Sequence, residues 1–383
     1  MVGLVGRFGL YPRLGLVLPF NFWSIGINLG PTVEQTIKTS WNKCREGVKK
    51  CILSWSARML PSLSQRVKII NTFALSKLWY LASVLPIPQV VLHDLERLVR
   101  AFLWLGRMEK LPYEELFNPP SAGGLGLIDI ASKGDALFVT QLTRMLNSEH
   151  HSHLKYWVGM GLRNHMPELR AGPNAQILTQ YFQRVETSLK EAFTLGLVLP
   201  GRLGEVKAKS LYLEFTSTLP PPKVVYTNPG RRWNIVWKRL EDPVIPPQGR
   251  DLLFSILHNI YKNKQRLHRM NQHPTGNCNS CREVETNIHL FTSCPRTQGL
   301  WIFIKDIVLR LIPGTLVLDD QRLLGLDFPG GQRTTEVLFL VSHYVVFIHQ
   351  SRYEGETPTV GKLRGFLRER LFSYIHGKFP RLE

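Results

Sequence analysis

Four soft or borderline metal ligands fall within 17 residues of this chain: Cys278, Cys281, His289 and Cys294, spaced Cys-x2-Cys-x7-His-x4-Cys. A Cys-x-x-Cys turn aims two thiolates at one point. A His and a Cys close behind complete the tetrahedron that zinc prefers and leave no position open for a substrate. Gly276 and Asn277 suit the tight turn that leads in. The spacing therefore predicts a closed, structural Zn2+ site, whose binding would contribute about 10–16 kcal/mol of apparent folding free energy. The plainer alternative is a chance cluster of reduced thiols. Cys44 and Cys51 lie far off, seven apart on a predicted helix. Five cysteines in 383 residues make no disulfide framework, so a reducing, intracellular setting (nuclear and/or cytoplasmic) is expected.

Charge points toward the partner. Lys and Arg number 48 against 29 acids, a net +19, which favours a polyanion. The excess is uneven: residues 1–110 hold 15 Lys/Arg against 5 Asp/Glu, and residues 250–310 hold 9 against 4. In the second stretch Lys262, Lys264, Arg266 and Arg269, with His268 and Tyr261 among them, run up to the cysteine cluster, and Arg282 lies inside it. Basic residues interleaved with aromatics suit backbone neutralisation and base stacking; a solvated helix face is the plain alternative. The expected partner is RNA and/or DNA, with no small-molecule substrate and no membrane. Leu14–Phe20 lacks a cleavage site, and Val337–Ile348 is too short to span and is broken by Ser342 and His343. Nothing in the sequence specifies an oligomeric state.

The patterning is mainly α. Residues 1–30 alternate apolar and small residues and suggest a strand or short hairpin. A helix is expected from about Thr32 to Leu60. A second begins at the capping box Ser62…Gln65 and carries Val67, Ile70, Ala74, Leu78 and Leu81 at helical spacing to Pro86. Arg66 and Lys77, eleven residues apart, are expected to return to the same side of that helix. A third, Val90 to Trp104, shows Leu92, Leu95, Val99 and Phe102 on one face and stops near Gly106. Beyond a loop at Pro119–Gly124 and less patterned sequence, Pro220-Pro221-Pro222 reads as a stiff linker. Trp233 and Trp237 lie one helical turn apart, and Leu252 to Met270 reads as one basic amphipathic helix. Helices near Leu300–Leu311 and Glu336–Arg352 precede a basic tail with Arg364, Arg368 and Arg370.

Three motifs imitate chemistry without supporting it. Val317-Leu318-Asp319-Asp320 lacks the aromatic and the third carboxylate of a polymerase metal turn. Glu149-His150-His151-x-His153 reads as a polar interhelix loop. Gly123-Gly124-Leu125-Gly126 lacks the Gly-Lys-Ser/Thr of a phosphate loop.

Several short strings follow one another in order: Trp55; Leu63-Ser64-Gln65-Arg66-Val67; Leu75-Ser76-Lys77-Leu78-Trp79-Tyr80; Pro86-x-Pro88; Phe102-Leu103-Trp104; and Pro119 through Gly123-Gly124-Leu125-Gly126-Leu127. Trp233–Trp237, Leu257-His258-Asn259 and Arg266-Leu267 then lead into the Cys-Cys-His-Cys cluster and Trp301. The ordered set resembles the thumb and C-terminal zinc segment of LINE-type (non-LTR retrotransposon) reverse transcriptases, over nearly the whole chain. The resemblance implies a family that copies element RNA at a nicked chromosomal target, with a thumb that grips the primer–template duplex and a cysteine region that assists RNA or target binding. By position, Arg66 and Lys77 would be duplex contacts, and Cys278, Cys281, His289 and Cys294 the metal ligands. It implies a division into the end of a palm-like β segment (1–30), a thumb-like helical bundle (31–110), a helical linker (111–222), a small zinc-stabilised CCHC domain (223–310), and C-terminal helices with a basic tail (311–383). The fingers and palm, with the aromatic-x-Asp-Asp motif, would lie before residue 1. Two-metal nucleotidyl transfer needs converging carboxylates, so the chain is expected to bind nucleic acid and not to polymerise by itself. The tail of an intact polymerase and a zinc-stapled interaction scaffold are the competing expectations.

Overall fold

Helix formation here follows the apolar stripes, and the departures from them are local. The computed structural model describes residues 22–24, 27–29, 33–58, 62–106, 110–147, 187, 207–217, 219–312 and 318–378. These divide into two compact units. One takes in residues 1–61, 65–109 and 127–219, the other 62–64, 110–126 and 220–383. The stretch 111–222, expected as one helical linker, is shared between them.

In the first unit an antiparallel hairpin, β1 (Phe22–Ser24) and β2 (Ile27–Leu29), pairs Phe22 with Leu29 and Ser24 with Ile27. It packs on α1 (Val33–Ser56). The stripe from Val67 to Leu81 is buried as its spacing predicts, but the helix is not regular. α2 (Leu63–Ile69) passes through a π-helical segment, Ile70–Ala74, before α3 (Ser76–Ala82). The Leu75 N–H bonds to the Ile70 carbonyl at 2.9 Å, five residues back. This inserted residue buries Ala74 and Leu75 side by side. It also puts the following turns roughly 100° out of phase, so Lys77 does not return to the side of Arg66.

α4 (Gln89–Trp104) buries Leu92, Leu95, Val99 and Phe102 and ends in a left-handed pair, Leu105 and Gly106. α1 packs across α3 and α4, and Arg45 meets Asp94 at 2.6 Å. α5 (Ile130–Asn147) joins α3 and α4 to α6 (Ala208–Ser217), and the Tyr212 hydroxyl accepts the Asp129 N–H.

The second unit is organised around α13, which runs Thr334–Tyr353 and is buried on all sides from Val341 to Ile348. A helix apolar all round belongs in a core, and its polar residues are satisfied locally: the Ser342 hydroxyl and His343 Nδ1 both bond to the Phe339 carbonyl. Around it lie α9 (Pro247–Leu257), α11 (Gln298–Leu311) and α14 (Val360–Lys378). Among the described residues no helix is long and apolar enough to cross a membrane.

The stretch expected as a basic tail is helical over α14, with Arg364, Arg368 and Arg370 exposed. Leu363 and Leu367 are buried at helical spacing, while Arg364 lies over the Phe303 ring and Arg370 over Phe366. The basic helix expected over Leu252–Met270 is broken. α9 ends at Leu257, Asn259 takes a left-handed conformation, and Asn263 caps a new short helix, α10 (Lys264–Arg269), by accepting the Arg266 N–H at 2.8 Å. In the fold these asparagines end one helix and begin the next.

The glycine run is a packing turn. Gly123 has φ +86°, and a Cβ there would lie 2.5 Å from the Trp237 ring; one on Gly124 would lie 1.9 Å from the Asn118 carbonyl. Trp237, on α8 (Trp233–Leu240), stacks between Trp233 and His258. His258 Nε2 donates to the Gly123 carbonyl, and burial holds this histidine's pKa down to about 4.

Candidate metal centre and its basic surroundings

The metal-ligating atoms of Cys278, Cys281, His289 and Cys294 all lie within 4.8 Å of one another. Zn–S bonds of about 2.3 Å and Zn–N bonds of about 2.0–2.1 Å in a tetrahedron require edges of roughly 3.8 Å for S···S and 3.6 Å for S···N. Cys278 and Cys294 Sγ are 3.8 Å apart, and Cys281 Sγ lies 3.3 Å from His289 Nε2. The three thiols and the imidazole therefore lie close to the spacing that a tetrahedral zinc ion requires.

Each ligand is presented by a local device. Cys278 and Cys281 sit on a tight turn in which the Cys278 N–H bonds to the Glu283 carbonyl and the Arg282 N–H to the Cys278 carbonyl, with Arg282 at φ +66°. An isolated bridge between Asn277 and Val284 closes the loop. His289 opens a π-helical turn, His289–Ser293, and the Cys294 N–H returns to the His289 carbonyl at 2.8 Å. The turn is braced by Tyr344 of α13, whose hydroxyl donates to the Phe291 carbonyl.

Burial pushes the Cys278 thiol up, but hydrogen bonds from the Ser280 N–H, His289 and Cys281 outweigh it and bring the pKa down to about 6. At Cys294 burial wins, with the neighbouring Cys278 adding to it, and the pKa rises to about 11. A metal must displace the proton held there.

The sequence reading missed the groups around the ligands. The Glu283 carboxylate lies 3.2 Å from His289 Nδ1 and so fixes which ring nitrogen faces the thiolates. Ligating histidines regularly use their second nitrogen in this way, and an acid in the loop between the ligands was the available signal. Glu285, buried, accepts the Lys264 N–H at 2.9 Å and Arg352 Nη2 at 2.6 Å. Asn263 donates to Asn287, tying the start of α10 to the segment before His289.

The seven cations read from the sequence fall in different settings. Lys262, Arg269 and Arg282 are exposed around the metal loop. Lys264 is buried, its ammonium bonded to the Asn279 side chain, and Arg266 is half-buried with Nη1 on the Asn259 carbonyl. Lys77 is exposed and Arg66 half-buried, both in the first unit.

The imitation motifs resolve structurally. Asp319 caps the short helix α12 (Asp320–Leu324) through the Gln321 N–H, and Asp320 pairs with Lys305 at 2.7 Å. Glu149 to His153 lies outside the described residues.

Comparison with curated proteins finds no match. Residues 208–301, a stretch that holds all four ligands and the Trp233–Trp237 pair, match the model of a family described as zinc-binding in reverse transcriptase, so this part of the chain is similar to a reverse-transcriptase-associated zinc-binding region.

Proposed function

We propose that this chain binds nucleic acid as the C-terminal, thumb-and-zinc portion of a LINE-type reverse transcriptase, with the zinc ion as a structural staple. The observation that carries the reading is that exposed Lys262, Arg269 and Arg282 stand on the segment held by the Cys/His cluster, inside the matched stretch. Lys264 and Arg266 act on that surface indirectly, by holding its backbone through Asn279 and Asn259. Arg66 and Lys77, which the π-helical segment turns to different sides, are proposed as two separate contacts to duplex on the helical unit. No nucleotidyl transfer is assigned to the chain itself. Its sequence has no aromatic-x-Asp-Asp turn, and two-metal chemistry needs converging carboxylates.

Phosphate neutralisation releases counterions, so affinity must fall steeply with salt. Replacing Lys262, Arg269 and Arg282 together by Gln should weaken binding to single-stranded RNA and DNA and flatten the log–log salt slope by roughly 2–3, read by fluorescence anisotropy. Replacing Arg66 and Lys77 should flatten the slope on an RNA–DNA duplex by roughly 2. Unchanged slopes would remove these residues from the interface. A second reading, a zinc-stapled protein-interaction scaffold, is favoured by the exposed Leu371, Phe372 and Ile375 on α14; it requires that nucleic-acid affinity be weak and not salt-dependent.

A further inference from the structure

A cleft of about 690 Å³ opens on the second unit, bordered by the start of α7 (Lys223–Thr227), the turn after α9, the first residues of α10 and the end of α12. Its size falls in the range that encloses a small organic ligand. Two guanidiniums border it. Arg266 Nη1 is held at 2.8 Å by the Asn259 carbonyl, and Arg231 Nη2 at 3.3 Å by the Gln321 carbonyl. A carbonyl fixes the direction of a guanidinium without cancelling its charge. Asp319 and Asp327 offset Arg231 in part, whereas Arg266 has no carboxylate partner among the described residues. Withdrawal from water makes both cations better anchors for an anion, since their field is less screened. Glu115, a carboxylate of the lining, is buried and accepts the Lys223 N–H.

Beside the cations the lining offers the side-chain amide of Gln265, which has no hydrogen-bond partner among the described residues. Gln321 adds a second amide, and Ile256, Ile260, Ile288 and Leu324 add apolar wall. No Phe, Tyr or Trp lines the cleft, and the one imidazole there, His258, is already stacked on Trp237 and bonded to the Gly123 carbonyl, so base stacking is not what it offers. Its chemistry is an anion site next to amides that donate and accept, over an aliphatic floor.

We propose that this cleft binds one nucleotide, the phosphate against Arg266 and Arg231 and the base edge against Gln265 and Gln321. The inference rests on the nucleic-acid reading above and deepens it, because the same chemistry serves a nucleotide of a bound single strand or a free nucleoside phosphate. The cleft also shares a wall with the metal centre. Thr286, Asn287 and Ile288 line it directly before the ligand His289, and Asn287 bonds to Asn263 and Asn259.

The test is calorimetric titration of the zinc-loaded full chain with the four nucleoside 5′-monophosphates, and separately with short single-stranded RNA and DNA. Arg266→Gln and Gln265→Ala should each weaken nucleotide binding about tenfold, the loss of one charged or polar contact. Zinc content and thermal midpoint are measured alongside. Gln265→Ala removes no protein hydrogen bond and so keeps the test open if Arg266→Gln fails to fold. Oligonucleotides that bind, with both variants weakening them and monophosphates competing, support a strand nucleotide in the cleft. Monophosphates that bind while oligonucleotides do not support a free nucleotide and overturn the strand reading. Oligonucleotides that bind undiminished to both variants, without competition from monophosphates, overturn the cleft proposal and leave the basic surface standing. Failure of every probe to bind overturns both.

Discussion

The bundle of α1, α3, α4 and α5 and the segment from Asn263 to Thr297 are held by different physics. The bundle buries continuous apolar stripes, with Ile70, Leu75, Leu78 and Leu95 wholly inside, and each residue removed from water stabilises it by about 1.5–3 kcal/mol. The metal segment has one short helix, one π-helical turn and an isolated β-bridge. Its interior is more polar: Asn263, Lys264, Glu285, Asn287 and His289 are all buried, beside Leu290 and Phe291. Such a segment offsets less of its conformational entropy by apolar burial, and a metal ion on the four candidate ligands would draw its turns together. Loss of metal and loss of apolar contact should therefore act on separate parts of one chain.

The largest effect expected is from the metal. Stripping zinc with a chelator, or replacing Cys281 by Ser, removes up to about 10–16 kcal/mol of apparent binding free energy. Hydrogen exchange should then accelerate across residues 263–297 while amides of α3 and α4 keep their protection. A variant that still holds one zinc per chain would overturn the ligand assignment, and loss of protection in α4 would break the contrast between the two regions. Next in size, Leu95→Ala should cost about 2–5 kcal/mol in the bundle, the transfer and cavity terms of a fully buried leucine. Zinc content should stay at one per chain; a parallel fall in zinc would show the regions to be one cooperative unit. Smaller still, Glu283→Ala should weaken zinc binding about tenfold, toward the low end for an outer-shell partner, because this carboxylate is largely exposed. Glu283→Gln, which keeps an acceptor for His289 Nδ1, should restore most of the affinity in competition with a chelating dye. Equal losses in both variants would point to charge rather than ring orientation.

What could be read from the sequence divides along the same line. The stripe Val67, Ile70, Ala74, Leu78, Leu81 is visible because burial writes its period into residue type. The π-helical residue within it is not, because Ala74 and Leu75 are unremarkable in either register. The metal ligands are visible because all four are neighbours in sequence. Their supports are partly hidden: Glu283 is adjacent, but Arg352 and Tyr344 come from a helix more than fifty residues on. The break at Asn259 was hidden inside a run whose apolar spacing still suited a helix. The arginines of α14 masked a stripe, Leu363, Phe366 and Leu367, that was there to be found. The cleft had no sequence signature, since its walls are drawn from separated turns around residues 111, 223, 258, 287 and 324.

The nearness of the four ligands along the chain also sets an order of events during synthesis. Closing a 17-residue loop is fast and costs little entropy, so zinc can load once Cys294 has emerged. The brace from Tyr344 is not yet made at that stage, and neither is the ion pair between Arg352 and Glu285. The metal loop is therefore positioned to serve as the template on which the later helices α11, α13 and α14 settle.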